Sequence, residues 1–126
     1  MDAVSAAIDA LGDRWTLLIL RDVMVSDRRH FRALLTGSVE GIASNILADR
    51  LVKLVDAGLL VRGTAARGQR ARYSLTEAGI QSLPLIAALG AWGSEWRDGA
   101  QLSLPSADEL RGRHLITPAE ETTMEP

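Results

Sequence analysis

The chain has 126 residues, 47% of them hydrophobic, which suffices for one domain with an ordinary buried core. It contains no cysteine, so disulfides, zinc–thiolate sites and thiol redox switching are excluded for this chain. The net charge is only −2, but residues 14–73 hold eleven basic and five acidic side chains, a net charge of +6, and the remainder is acidic. The two parts of the chain therefore present opposite electrostatic fields.

The apolar runs near residues 17–20 and 83–92 are well short of the roughly 20 residues that span a bilayer. The layout of a signal peptide is missing as well. We therefore expect a soluble, cytoplasmic protein.

The first two predicted elements are helices. Apolar residues at positions 4, 7, 8 and 11 predict a short helix that ends at Gly12. Asp13 is then the N-cap of a second helix over residues 14–25, whose wide apolar face predicts a central, buried position.

A helix-turn-helix is predicted next. Residues 30–35 form a two-turn helix, and Glu40-Gly41 supplies a turn. Residues 44–57 carry apolar side chains at the spacing of a longer helix, and Gly58 follows where a left-handed C-cap belongs.

The remaining pattern predicts a β-hairpin and one long helix. Residues 59–62 and 71–75 are the strands, joined by a basic turn at 63–70. The residues Ser74 to Glu77 fit a capping box, and Thr76 is an alternative N-cap, so the helix begins there, bends at Pro84 and reaches Arg97. Residues 98–126 form a loosely held polar tail with a helical turn at 107–111. The predicted fold is mainly α (α+β). It is a winged helix-turn-helix domain over residues 1–97, with a two-stranded β-hairpin wing and N- and C-terminal dimerisation helices.

Several segments resemble the HxlR-type winged-helix regulators. Residues 11–22, LGDRWTLLILRD, resemble the family signature GGKWTLLILRDL, and further matches in order and spacing occur at residues 31–34, 41–42, 47–51, 57–59, 73–79, 83–84 and 92–93. The resemblance covers about residues 4–97 and implies a dimeric DNA-binding transcription factor without enzymatic activity. Many members carry a cysteine just before the signature, and its absence here means that a thiol-sensing role does not carry over.

The second helix of the motif supplies the candidates for base contact. Such a helix enters the major groove and directs short side chains of its first turn at base edges. Asn45 suits a bidentate contact with adenine, Ala48 a thymine methyl, and Ser44 a base or a phosphate, although Ser44 and Asn45 have helix capping as an alternative role. Asp49 and Lys53 share this face, where Asp49 either accepts from cytosine N4 or holds a neighbouring cation.

Two basic groups flank that helix and are predicted to bind phosphates. The candidates are Arg28, Arg29 and Arg32 at the start of the short helix, and Arg67, Gln69 and Arg70 at the tip of the hairpin. The alternative for the first group is a solvated basic face.

An apolar stripe on the last helix predicts a dimer interface. It comprises Leu85, Leu89, Trp92 and Trp96, with help from Val4, Ile8 and Leu11 of the first helix. The alternative is that the stripe only closes the core of the monomer.

These features predict a sequence-specific regulator that binds double-stranded DNA as a homodimer on a (pseudo)palindromic operator. A repressor is the simplest expectation, because a small dimer without an evident activation surface can act by occupying a promoter. We expect no enzymatic activity, no cofactor and no metal, since His30 and His114 lack partners at catalytic or ligand spacing. The sequence leaves open whether a small apolar effector binds between the dimerisation helices, because no residue set identifies one. The alternative function is a winged-helix dimer used mainly for protein–protein interaction.

Overall fold

The computed structural model describes residues 1–65 and 67–115, which form helices and one two-stranded sheet. No helix in these residues is long and apolar enough to cross a membrane. The elements are α1 (Ala3–Leu11), α2 (Arg14–Ser26), α3 (Phe31–Thr36), α4 (Ser44–Asp56), β1 (Leu60–Arg62), β2 (Tyr73–Leu75), α5 (Glu77–Ile80), α6 (Leu83–Arg97) and α7 (Ala107–His114).

The first helices begin and end at the predicted positions. Asp13 accepts a hydrogen bond from the backbone N–H of Thr16 at 3.0 Å and so caps α2. Gly12 is the C-cap of α1, and Gly58 follows α4 with a φ of 78°. These boundaries depend on residues within one turn, which is why local sequence predicts them.

Helix α2 is the centre of the core, as its apolar face predicted. Leu20, Val23 and Met24 are fully buried and join leucines of α3 and α4 in one cluster. In α4 the buried side chains are Leu47, Leu51 and Leu54, so one face of this helix is fixed against α2. The opposite face is left for solvent or a ligand.

The wing is a short antiparallel hairpin. Leu60 pairs with Leu75, Val61 with Ser74 and Arg62 with Tyr73. This architecture, a helix-turn-helix followed by a β-hairpin, confirms the predicted winged-helix fold.

The prediction of one long helix from Thr76 to Arg97 is wrong. Thr76 caps a single-turn helix α5, and the chain breaks at residues 81–82 before α6 begins. Pro84 lies in the first turn of α6, where its missing N–H is not required, so it starts a helix and does not bend one.

The helical turn predicted at residues 107–111 is confirmed and belongs to a longer helix, but the prediction of a loosely held tail is wrong for residues 107–114. They form helix α7, which starts at a capping box of Ser106 and Glu109 and packs against α5 and β2. Leu110 is fully buried in the core cluster and the His114 side chain is buried too. Residues 116–126 of the predicted tail lie outside the described residues.

Gly79 packs directly against the backbone of Leu59. A Cβ at this position would overlap with the backbone carbonyl oxygen of Leu59. We expect Gly79→Ala to lower the free energy of unfolding by about 1–3 kcal/mol, measured by urea denaturation.

Gly112→Ala is the matched control, because a Cβ there meets nothing within 4 Å. Since Gly112 lies inside α7, this substitution should leave stability unchanged or raise it by up to about 1 kcal/mol. Equal stability of the two variants would contradict the packing described.

Candidate nucleic-acid interface

The exposed face of α4 carries the residues predicted to contact bases. Ser44, Asn45 and Ala48 are all exposed on the first two turns of the helix. The N-cap is Ala43, and no side chain caps the helix. The capping alternative for Ser44 and Asn45 is therefore not what the structure shows, and both polar groups point away from the core.

Asp49 holds cations on the same helix. Its carboxylate lies 2.7 Å from Nη1 of Arg50 and 3.2 Å from Nζ of Lys53, and both cations lower the pKa of Asp49, Lys53 most. Arg50 also donates from Nε to Asp13 at 2.7 Å and lowers the pKa of that carboxyl to about 2. Each basic side chain of α4 thus has a carboxylate partner within the protein.

A second ion-pair network fixes the turn between α3 and α4. Arg21 donates to both carboxylate oxygens of Glu40 at 2.8 and 2.9 Å and to Asp22 at 2.8 Å. The Arg21 guanidinium lowers the pKa of Glu40 to about 2. Because Glu40 precedes Gly41, whose φ is 75°, this pair ties the turn to α2 and so sets where α4 begins.

Arg28 lies partly buried beneath the same turn. Its Nη1 donates to the carbonyl oxygen of Gly37 at 2.8 Å and lies 3.9 Å from Asp22. A Cβ at position 37 would overlap with the Arg28 guanidinium, so Gly37 makes room for it. Arg28 is therefore mainly engaged with the turn, whereas Arg32 is exposed.

Arg29, predicted to bind a phosphate, does not reach the surface. It is 4% exposed and donates from Nε to the carbonyl of Tyr73 at 3.0 Å, from Nη1 to the carbonyl of Arg113 at 2.9 Å, and from Nη2 to the Ser74 hydroxyl. Burial lowers its pKa, and the charge of Arg72 adds to that effect. The prediction is wrong because Arg29 joins three parts of the fold.

A basic cleft opens between α3 and the wing. Arg32, Arg62 and Arg70 line this space of about 500 Å³, together with Gln69. None of these arginines makes an ion pair among the described residues. We call this site the α3–wing cleft. Arg67 is exposed beside it, on the far part of the hairpin turn.

The apolar stripe predicted for a dimer is uncovered in the single chain. Leu85, Leu89, Trp92 and Trp96 are 40%, 48%, 54% and 64% exposed. Val4, Ile8 and the partly buried Leu11 line a groove of about 450 Å³ together with Leu85 and Leu89. The stripe therefore does not close the core of the monomer.

The sequence model of the HxlR-like helix-turn-helix family matches residues 10–101. The chain belongs to this family. It is 36% identical over 114 residues to an uncharacterized HTH-type transcriptional regulator of Mycobacterium tuberculosis, a match that covers 90% of this chain and 67% of the relative. This HxlR-like protein is therefore a helix-turn-helix transcriptional regulator, and its family points to DNA binding and away from enzymes.

Solved structures agree with the family assignment. PA1607, described as a candidate transcription factor, is 33% identical with a TM-score of 0.71, covering 82% of this chain and 72% of its own. A protein of Thermoplasma volcanium, described as a possible HxlR family transcriptional factor, is 29% identical with a TM-score of 0.64, covering 79% of this chain and 88% of its own.

Sequence reasoning missed several residues that shape this HxlR-like interface. Arg62 was not among the predicted phosphate contacts, and the pairings of Arg21 with Glu40 and of Arg50 with Asp13 were not foreseen. Their partners lie 19 and 37 residues apart, so no local pattern connects them. In the described part of the chain no group of three or more His, Cys, Asp or Glu residues could hold a metal ion.

The Arg21–Glu40 pair provides a test of how the turn is held. We expect Glu40→Gln to cost about 1 kcal/mol of unfolding free energy or more, because Arg21 loses a bidentate partner in a partly buried position. Denaturant titration at pH 7 measures it.

Glu77→Gln is the matched control, since Glu77 pairs with Arg111 on the exposed surface. It should change stability much less than Glu40→Gln. Two equal losses would show that the turn does not depend on the partly buried pair of Arg21 and Glu40.

Proposed function

We propose that this HxlR-like regulator binds a specific (pseudo)palindromic operator as a homodimer in the cytoplasm and represses transcription. One α4 helix per protomer enters the major groove of a half-site, and the α3–wing cleft binds the neighbouring phosphates. The observation that carries this proposal is the cleft, which gathers three arginines without a carboxylate partner in the described residues.

The chemistry of α4 suits base contact more than electrostatic attraction. Asn45 presents a donor and an acceptor that match adenine, and Ala48 presents a methyl group to thymine. Lys53 and Arg50 are held by Asp49, so the helix adds little free positive charge. Sequence preference is therefore assigned to Ser44, Asn45 and Ala48.

Affinity has to come from other cations, because phosphate neutralisation dominates DNA binding. Arg32 and Arg70 were candidates from the sequence, and the cleft adds Arg62 to them. The phosphate backbone of DNA can neutralise this group of arginines, because each guanidinium binds a phosphate through paired N–H donors. Arg67, on the same hairpin turn, is proposed to contact the adjacent minor groove.

Dimerisation would bury the apolar side chains of α1 and α6 that are exposed in the single chain. Helix α1 has no buried residue, and Ile86 is the only buried residue of α6. A helix of nine residues is marginal alone, so α1 needs a packing partner. A second copy offers the same apolar surface, and a twofold axis would place the two α4 helices for half-sites about one helical turn of DNA apart or a multiple of it.

The competing function is a winged-helix dimer that contacts proteins. It would keep the fold and the apolar stripe, but it would bind DNA weakly and without sequence preference. Selection from random duplexes separates the two, because an enriched half-site supports the operator proposal and an unenriched pool contradicts it.

Two substitutions separate specificity from affinity. Asn45→Ala should cost about 1–3 kcal/mol on the selected site and relax the preference at one base pair. Arg62→Ala should weaken binding to all sequences and reduce the slope of log K against log salt by about one. Fluorescence anisotropy at several salt concentrations measures both.

Arg111→Ala is the control for these variants, since Arg111 pairs with Glu77 and Asp108 on α7. It should leave the salt slope unchanged. A slope for Arg62→Ala that equals the unmodified protein's would refute the phosphate role of the cleft.

The dimer is tested at Trp92. Trp92→Glu places a charge in the proposed interface and should convert the protein to a monomer of 13.6 kDa in analytical ultracentrifugation. Val39→Glu, at an 87% exposed residue outside α1 and α6, should leave the dimer intact. Unchanged association of the Trp92 variant would exclude this face.

A further inference from the structure

Helix α7 occupies the outer edge of the wing. The match to the HxlR-like family ends at residue 101, so α7 lies beyond it. Strand β2 pairs with β1 on one side only, so the backbone N–H and C=O groups of its other edge need hydrogen-bond partners outside the sheet. Those partners are Arg29 and His114.

Arg29 satisfies the first part of this edge. The Tyr73 N–H donates to the backbone carbonyl of Arg29 at 2.7 Å, and the Tyr73 carbonyl accepts from Nε of Arg29 at 3.0 Å. Nη1 of Arg29 then reaches the carbonyl of Arg113 near the end of α7. Since Arg29 lies just before α3, one side chain joins α3, β2 and α7.

His114 satisfies the second part. Its side chain is 0% exposed, and its Nδ1 accepts a hydrogen bond from the Leu75 N–H at 2.9 Å. The ring proton is therefore on Nε2, which lies 3.9 Å from Asp27 Oδ1 and has no hydrogen-bond partner. The neutral ring is required for this contact.

We propose that α7 is a latch that positions the wing for DNA, with Arg29 and His114 as positioning residues. By holding β2 against the start of α3, they set the distance between Arg32 on α3 and Arg62 and Arg70 on the wing. The part that concerns DNA rests on the proposed function, whereas the part that concerns the wing does not.

The latch also opens in acid. A protonated ring has a hydrogen on Nδ1 and cannot accept from Leu75. The charged groups around the ring are Arg29, Arg72 and Arg113, which oppose protonation, and Asp27, which favours it. Burial and Arg29 lower the pKa of His114 to about 4. The unfolded chain, with the ordinary value of 6.5, binds more protons between these pH values, so the contribution of His114 is complete above pH 6.5 and is lost as pH falls toward 4.

Amide hydrogen exchange of the DNA-free protein tests the latch directly. His114→Ala should accelerate exchange at Leu75 about tenfold while Leu51 in α4 exchanges as before. His114→Asn, whose carboxamide oxygen can accept from Leu75, should restore most of the protection. Equal acceleration at Leu75 and Leu51, or no acceleration at either, would overturn the proposal.

Binding to the selected duplex tests the consequence. His114→Ala should weaken binding to all sequences and lower the salt slope by up to about two, one for each misplaced wing arginine, with the base preference kept. His114→Asn should recover the slope. Affinity and slope equal to those of the unmodified protein would show that α7 does not position the wing for DNA.

The outcomes for the two proposals can be told apart. If the unmodified protein selects no DNA site, the proposed function fails and the exchange data still judge the latch. If His114→Ala does not fold, exchange at Leu75 in the unmodified protein at pH 7 and pH 4, corrected for intrinsic rates, replaces it. Loss of protection at pH 4 that is absent in His114→Asn supports the latch, and identical behaviour of the two proteins overturns it.

Discussion

The buried guanidinium of Arg29 is the constraint on which the arrangement of the domain depends. A charged group that is 4% exposed is tolerated only if its donors are satisfied, and here two backbone carbonyls and a hydroxyl accept from it. These acceptors lie on β2 and α7, while Arg29 itself leads into α3. The Arg29 side chain therefore ties the wing and α7 to the start of α3.

The ion pairs are distributed unevenly between α4 and the α3–wing cleft. The cations of α4 are paired: Arg50 with Asp13, and Lys53 with Asp49. The arginines of the α3–wing cleft have no such partner in the described residues. Under the proposed function, α4 selects the sequence and the cleft supplies affinity. Substitutions on α4 should therefore change the base preference, and substitutions in the α3–wing cleft should change the affinity.

Most of the fold could be predicted because its signals are local. The caps at Gly12, Asp13 and Gly58 lie next to the helices they delimit, and the spacing of apolar residues in α2 and α4 identifies their buried faces. Pro84 was assigned wrongly because a proline inside an apolar rhythm and one that starts a new helix look alike in sequence. Helix α7 was underestimated because Leu110 is its one buried leucine, too little for an apolar rhythm.

The site was predictable in outline and not in its individual arginines. Arg28, Arg29 and Arg32 lie within five positions, and nothing local distinguishes them. Their roles depend on Gly37, Tyr73 and Arg113, which come later in the chain. The distant partners of Arg29 therefore make it structural, whereas Arg32 stays exposed and lines the cleft.

The most direct test of the account is an NMR titration of the dimer with the selected duplex, in which backbone amides and arginine Nε–H groups are followed together. We predict large shifts at Ser44, Asn45 and Ala48 and at the Nε–H of Arg32, Arg62 and Arg70, with the Nε–H of Arg29 unchanged. A titration that moves the Arg29 signal and leaves the cleft arginines unchanged would contradict the account.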